Sequence, residues 1–421
     1  MADINIGKAP PNSAVLPFYA TAAIAFLILT ILMLISTNSF AGHYFNPHLL
    51  SIVHTAALGW GTMIIYGASY QLLPVICEKD LFSNSLASSS WFVLTIGVVL
   101  LVTAFWNLSN SILLITGGSL IVLSAILFAV NVWLTAGSCS KYTIQKRYIS
   151  TAAFWLLFTT IVGLLLAINL YHPFFTKNHL NILKLHAHAG LAGWFLQLIT
   201  GVSTKLVPMF LLGKSSKDKL LKLSYIFQNT GLILFLLDGY FLGSSHRFIL
   251  YALLVLIGVI CWLAYLYDTF KNRVRKKIEW LMKSTFASFL CLLAAFATLP
   301  VVVLAKGTQW AMLYGTLLFL GWITGIILGK TFKTLPFIVW NGHYKNLSGK
   351  VKVPLPKHLY NEQIIPFQFW LYIVALVLLS IGIICGNLIV VKVSLFLWLI
   401  LAILYNYNVF KVLFHKTKIL H

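Results

Sequence analysis

Residues 186–208 read HAHAGLAGWFLQLITGVSTKLVP, and the frame they hold recurs twice elsewhere in the chain. Counting from His188, glycine stands at +5 (Gly193), tryptophan at +6 (Trp194), glycine at +13 (Gly201) and proline at +20 (Pro208). From His54 the same offsets hold Gly59, Trp60, Gly67 and Pro74. From Thr316 they hold Gly321, Trp322, Gly329 and Pro336. Four offsets matched in three places define an internal repeat. Two anchors are histidine and the third is threonine.

The surroundings of the repeat are apolar throughout. Of 421 residues, 60% are hydrophobic and 9% are charged, where a soluble domain carries about a quarter. The mean hydropathy is +0.92. Runs long enough to cross a bilayer lie near 14–37, 47–77, 88–108, 111–137, 147–170, 180–212, 221–243, 248–270, 281–304, 308–338, 365–385 and 388–412. The prediction is an all-α integral membrane protein, a single transmembrane domain over 1–421. Its 12 helices form three pseudo-threefold four-helix repeats at about 14–137, 147–270 and 281–412. The tail MADINIGKAPPNS precedes a full-length span, read as a retained first helix and not a cleaved signal.

The net charge of +22 does not point to nucleic acid, because the basic residues sit in short loops where positive charge sets topology. One set of loops holds 21: Lys8, Lys79, Lys141, Lys146, Arg147, Lys214, Lys217, Lys219, Lys222, Lys271, Arg273, Arg275, Lys276, Lys277, Lys345, Lys350, Lys352, Lys357, Lys411, Lys416 and Lys418. The alternate set holds five: Lys177, Lys184, Arg247, Lys306 and Lys392. Both termini are therefore expected to be cytoplasmic, in a bacterial-type inner membrane. The longest connection, roughly 339–364, lies on the same side. The five cysteines are scattered without a C-x-x-C, so a disulfide frame, a zinc knuckle and covalent c-type haem find no support.

With four spans per repeat, the second, sixth and tenth spans run the same way, from outside to inside. Each anchor lies in the outer half, with its proline about 30 Å deeper. An ionisable side chain in lipid is costly and marks function by default. His54, His186 and His188 are the clearest such cases; the bland alternative is a neutral ring bonded to a neighbouring helix. Imidazole suits haem iron and copper, and no cysteine or carboxylate stands near to complete a zinc site. His186 and His188 are about 200° apart around a helix, so they face different ways. Because His54 and His188 share one rotational sense, the expected facing pair for haem is His54 with His186. His188 then faces the slot shared with the tenth span, opposite Tyr314 and near Thr316. His48, about 6 Å further out, is a candidate second-shell group or metal ligand. Gly67 and Gly201 permit close approach of a helix or a flat cofactor.

Asp238 is the one acid expected near the haem depth. It is a candidate to relay protons, orient a histidine or pair with Arg247. Tyr171 and Tyr240 read as interfacial belt residues. Lys205 and Lys333, both at +17, read as snorkelling.

Three arcs of four helices with outward-lying histidines on the motif helices resemble the haem-copper oxidase subunit I superfamily. Residues 54–74, HTAALGWGTMIIYGASYQLLP, are similar to the haem-ligand segment of the nitric oxide reductase and cbb3-type branch in the histidine, the Gly-Ala-x-Tyr and the Leu-Pro. The glycine and proline offsets also resemble NnrS. The resemblance implies b-type haem, with copper as a further cofactor. It implies electron transfer or handling of oxygen or nitric oxide, and His54 as a haem ligand. Its partners would be membrane lipid, a respiratory electron donor or oxidase-type subunits, and a small gaseous ligand. Active oxidases of that superfamily carry His-x-His on the tenth helix and further histidines on the sixth and seventh. Here the tenth span has Tyr314 and Thr316, the seventh has no histidine, and His-x-His stands on the sixth. Oxidoreductase activity is thus implied without the usual binuclear-centre ligands. Two readings of another class stand beside it: a non-redox transporter or channel gated by the same histidines, and a cofactor-free structural subunit of a respiratory complex.

Overall fold

The computed structural model describes residues 10–108, 111–139, 143–243, 246–305 and 307–417. Lys8, Lys141, Lys306, Lys418, His421 and most of the N-terminal tail lie outside the described residues. Twelve helices are long and apolar enough to cross a membrane: α1 Asn12–Ile35, α2 Pro47–Cys77, α3 Asn84–Asn107, α4 Ser111–Gly137, α5 Ile144–Tyr171, α6 His179–Leu211, α7 Asp218–Phe241, α8 Phe248–Lys271, α9 Trp280–Leu304, α10 Thr308–Tyr344, α11 Ile364–Ile384 and α12 Leu388–Leu413. Among the described residues no strand forms, only an isolated bridge between Ser348 and Val351. Helices meet the demand of lipid that each backbone group be bonded within its own segment.

Side-chain caps set several helix starts. Asn46 accepts from the His48 and Leu49 amides ahead of Pro47, and Asn178 accepts from Leu180. Thr143 caps α5 and Asn387 caps α12. The helix α10 starts after Gly307 with no side-chain cap. It runs past Pro336 to Tyr344, beyond the expected limit of 338. Trp340 Nε1 donating to the Pro354 carbonyl and Tyr344 hydroxyl against His415 Nε2 hold that extra turn.

The chain divides into two compact units. The first is built from residues 70–97 and 110–277 and the second from 11–69, 98–109 and 278–421. Within each unit the repeat glycines do one job. A Cβ on Gly59 would meet Ala25 of α1, one on Gly193 would meet Trp155 of α5, and one on Gly321 would meet Cys291 of α9. At +13, Gly67 lies against Phe18, Gly201 against Tyr148 and Gly329 against Thr285. Each motif helix therefore packs backbone-close on the helix before it, at two points two turns apart. Gly67 and Gly201 are occupied by helix approach.

Two expectations need correction. Cys77 and Cys139 are joined in a disulfide, in the first unit. Their spacing of 62 residues hid a contact that only the turns after α2 and α4 bring together. Lys333 does not snorkel: its side chain is 12% exposed and pairs with Glu279, the residue before α9. Lys205, at the same offset, is exposed as expected.

Candidate cofactor-binding site

Each motif helix leaves α geometry at the same place. Hydrogen bonding widens to a π pattern over Thr55–Thr62 in α2, Ala189–Phe195 in α6 and Leu317–Ile323 in α10. Every segment begins one residue after the anchor. Such turns are rare and occur often at functional sites, and three at one offset belong to the repeat unit itself. Added residues in a turn rotate everything beyond by about 100° each. His48, His54, His186 and His188 all precede the widening, in plain α-helix.

The anchors share their chemistry as well as their position. His54 donates from Nδ1 to the Leu50 carbonyl at 2.7 Å, and His188 donates from Nδ1 to the Lys184 carbonyl at 2.8 Å. A carbonyl only accepts, so in both neutral rings Nδ1 carries the proton and Nε2 the lone pair. His186 reaches sideways: its Nδ1 donates to the Thr159 carbonyl of α5 at 3.0 Å. Its ring lies in the notch made by Gly163, where a Cβ would stand 2.8 Å from Cε1. All three imidazoles hold the tautomer that binds a metal through Nε2, with Nδ1–H tethered to a carbonyl.

Aromatic rings fix the remaining freedom. His54 lies 4.8 Å from Phe105 of α3, and His188 lies 5.0 Å from Phe235 of α7. His48 stacks on Trp106 at 4.3 Å. Thr316 is buried in α10, one residue ahead of its π segment. Asp238, 7% exposed in its side chain, pairs with Arg247 at 3.3 Å. Its second oxygen, Oδ2, is buried with no hydrogen-bond partner. Among the described residues no three of His, Cys, Asp or Glu gather as a metal-holding group.

A polar ladder in the first unit was not anticipated. Trp155 Nε1 donates to Asn229 Oδ1, Asn229 Nδ2 donates to Gln197 Oε1, and Gln197 Nε2 donates to Gln228 Oε1, each at 3.1 Å. Gln228 Nε2 donates on to Ser224 Oγ at 3.1 Å, which also receives the Tyr148 hydroxyl at 3.0 Å. Gln197 and Gln228 are wholly buried. Three amide side chains inside otherwise apolar spans were the available signal, since an unpartnered amide in hydrocarbon is costly.

The fold defines a class: a multi-pass integral membrane protein of twelve helices with histidines tethered on its repeat helices. No protein-family model matches the chain. It is similar to a cbb3-type cytochrome c oxidase subunit, CcoN1, of Stutzerimonas stutzeri, at 34% identity over 76 residues. That stretch is 18% of this chain and 16% of the relative's length. The similarity supports a haem-copper oxidase-like membrane protein.

Proposed function

We propose that the protein binds b-type haem through the imidazoles of its repeat helices and works in electron transfer. The carrying observation is the shared tether: His54, His186 and His188 each fix Nδ1–H on a carbonyl, the tautomer in which Nε2 carries the lone pair. By the repeat register, His54 and His186 are the residues that would hold the haem. Bound there, haem would supply one-electron chemistry. The chain's own part is to hold these rings in one tautomer through their carbonyl tethers, with Phe105 packed beside His54. Held by two imidazoles, haem would serve electron transfer in preference to oxygen or nitric oxide handling. A gaseous ligand would need a second haem at His188. Copper is not assigned a site, because no third ligand joins these rings among the described residues. The proposed orientation is the one set by the loop charges, with Pro74 and Pro208 towards the cytoplasm. A reduced-minus-oxidised spectrum of the purified protein tests the reading; a b-type band is expected, and its absence from a protein expressed with ample haem overturns it.

A further inference from the structure

We propose that Cys77 and Cys139 are a reversible dithiol–disulfide pair on the basic face of the protein, a redox-responsive tie between the ends of α2 and α4. Cys77 is the last residue of α2 and Cys139 lies two residues beyond α4. Two crossings separate them, so they share one face, and it is the face whose loops hold 21 of the loop cations. By the charge rule that face is cytoplasmic, where disulfides are transient and redox-sensing instead of permanent. The inference rests on the orientation proposed above.

The neighbourhood is built to survive loss of the bond. Phe82 and Ser83 donate their amides to Thr135 Oγ1 at 3.0 Å and Asn131 Oδ1 at 3.1 Å, and Asn131 Nδ2 returns to the Ser83 carbonyl at 2.8 Å. The turn after α2 therefore stays docked on α4 without sulfur, and reduction loosens the junction without unfolding it. Cys77 is 7% exposed while Cys139 is partly exposed, so attack falls on Cys139 Sγ. A thiolate of a dithiol reductant bonds to Cys139 Sγ, the Cys77–Cys139 bond breaks, and Cys77 leaves as a thiolate that takes a proton. The second thiol of the reductant then displaces Cys139, which leaves as a thiol, and the reductant becomes a disulfide. Oxidation runs in reverse with a low-molecular-weight disulfide as the two-electron acceptor. The consequence is a redox-dependent anchorage for the inner end of α2, the helix that carries His54.

The test uses full-length protein in native membranes, acid-quenched, blocked with N-ethylmaleimide, reduced, and labelled with a maleimide-polyethylene glycol. We expect no label in untreated cells and a two-thiol shift after diamide. That shift should reverse with dithiothreitol and be lost in Cys77→Ser and in Cys139→Ser. No shift after diamide, or a full shift that precedes diamide and resists dithiothreitol in intact membranes, overturns the proposal. A membrane-impermeant maleimide on sealed vesicles of Cys77→Ser, read by mass spectrometry at Cys139, reports the face separately. Labelling from the exported side alone overturns the orientation, and labelling from the cytoplasmic side leaves the redox result to decide.

Discussion

Gly163 and His186 fit one another as notch and ring: the Cβ that Gly163 lacks would stand 2.8 Å from Cε1 of the imidazole and 3.4 Å from its Nδ1. One methyl group on α5 therefore displaces a side chain of α6 from the Thr159 carbonyl. Gly163→Ala is expected to destabilise the protein by about 1–3 kcal/mol, as overpacking does. It should also convert a low-spin haem signal to high spin. Absorbance of the oxidised protein checks the second effect, and imidazole added to the buffer should restore the low-spin band. An unchanged spectrum removes His186 from the ligand set.

His54 and His188 are alike in tether and offset but differ in the proposed role. His54→Ala should lower haem content by roughly tenfold or more, at least the loss that follows removal of supporting groups around a metal ligand. His188→Ala should leave the first haem in place. Haem per protein, measured by pyridine haemochrome, separates the two. Equal loss in both variants argues that each ring holds iron.

The amide ladder makes a stability claim independent of any cofactor. Gln228→Leu leaves Gln197 Nε2 without its acceptor at 3.1 Å and takes a donor from Ser224. The expected cost is about 1–3 kcal/mol for stranding buried polar groups, read as a lower unfolding midpoint in detergent. A change of Gln197 and Gln228 together to leucine should cost less than the sum of the single changes.

Lys333 and Lys205 share an offset and part company in behaviour. Lys333→Met removes the ion pair with Glu279, whose side chain is 41% exposed. The loss should be about 0.5–1 kcal/mol, because solvent screens a pair with one exposed partner. Lys205→Met, at an exposed position, should change stability by less than about 0.5 kcal/mol. Thermal unfolding of the two variants side by side tests this.

The twelve spans were legible because lipid imposes one solution on a long apolar run. The second and fourth spans, 47–77 and 111–137, match their helices at both ends. The end of α10 was not legible, since Pro336 looks like a stop and the last turn is held by contacts distant in sequence, Tyr344 with His415 and Trp340 with Pro354. The candidate histidines were visible as ionisable residues in apolar surroundings. Their tautomer was not, because it depends on which carbonyl lies within reach, and for His186 that carbonyl belongs to Thr159, 27 residues earlier. The π segments left no periodic trace, because residues such as LLFLGWI are apolar on every side. Lys333 looked like a snorkelling end residue because nothing local reveals Glu279 beside it. Cys77 and Cys139 looked unrelated for the same reason.

The widened turn in α10 starts immediately after Thr316, as it starts immediately after His54 and His188. The backbone distortion is thus present in the third copy without an imidazole, so it does not depend on a histidine at the anchor. Thr316→His would therefore place a third ring on a backbone already shaped like the two that carry His54 and His188, and whether three like scaffolds hold three like rings can be probed at the bench with a single side chain.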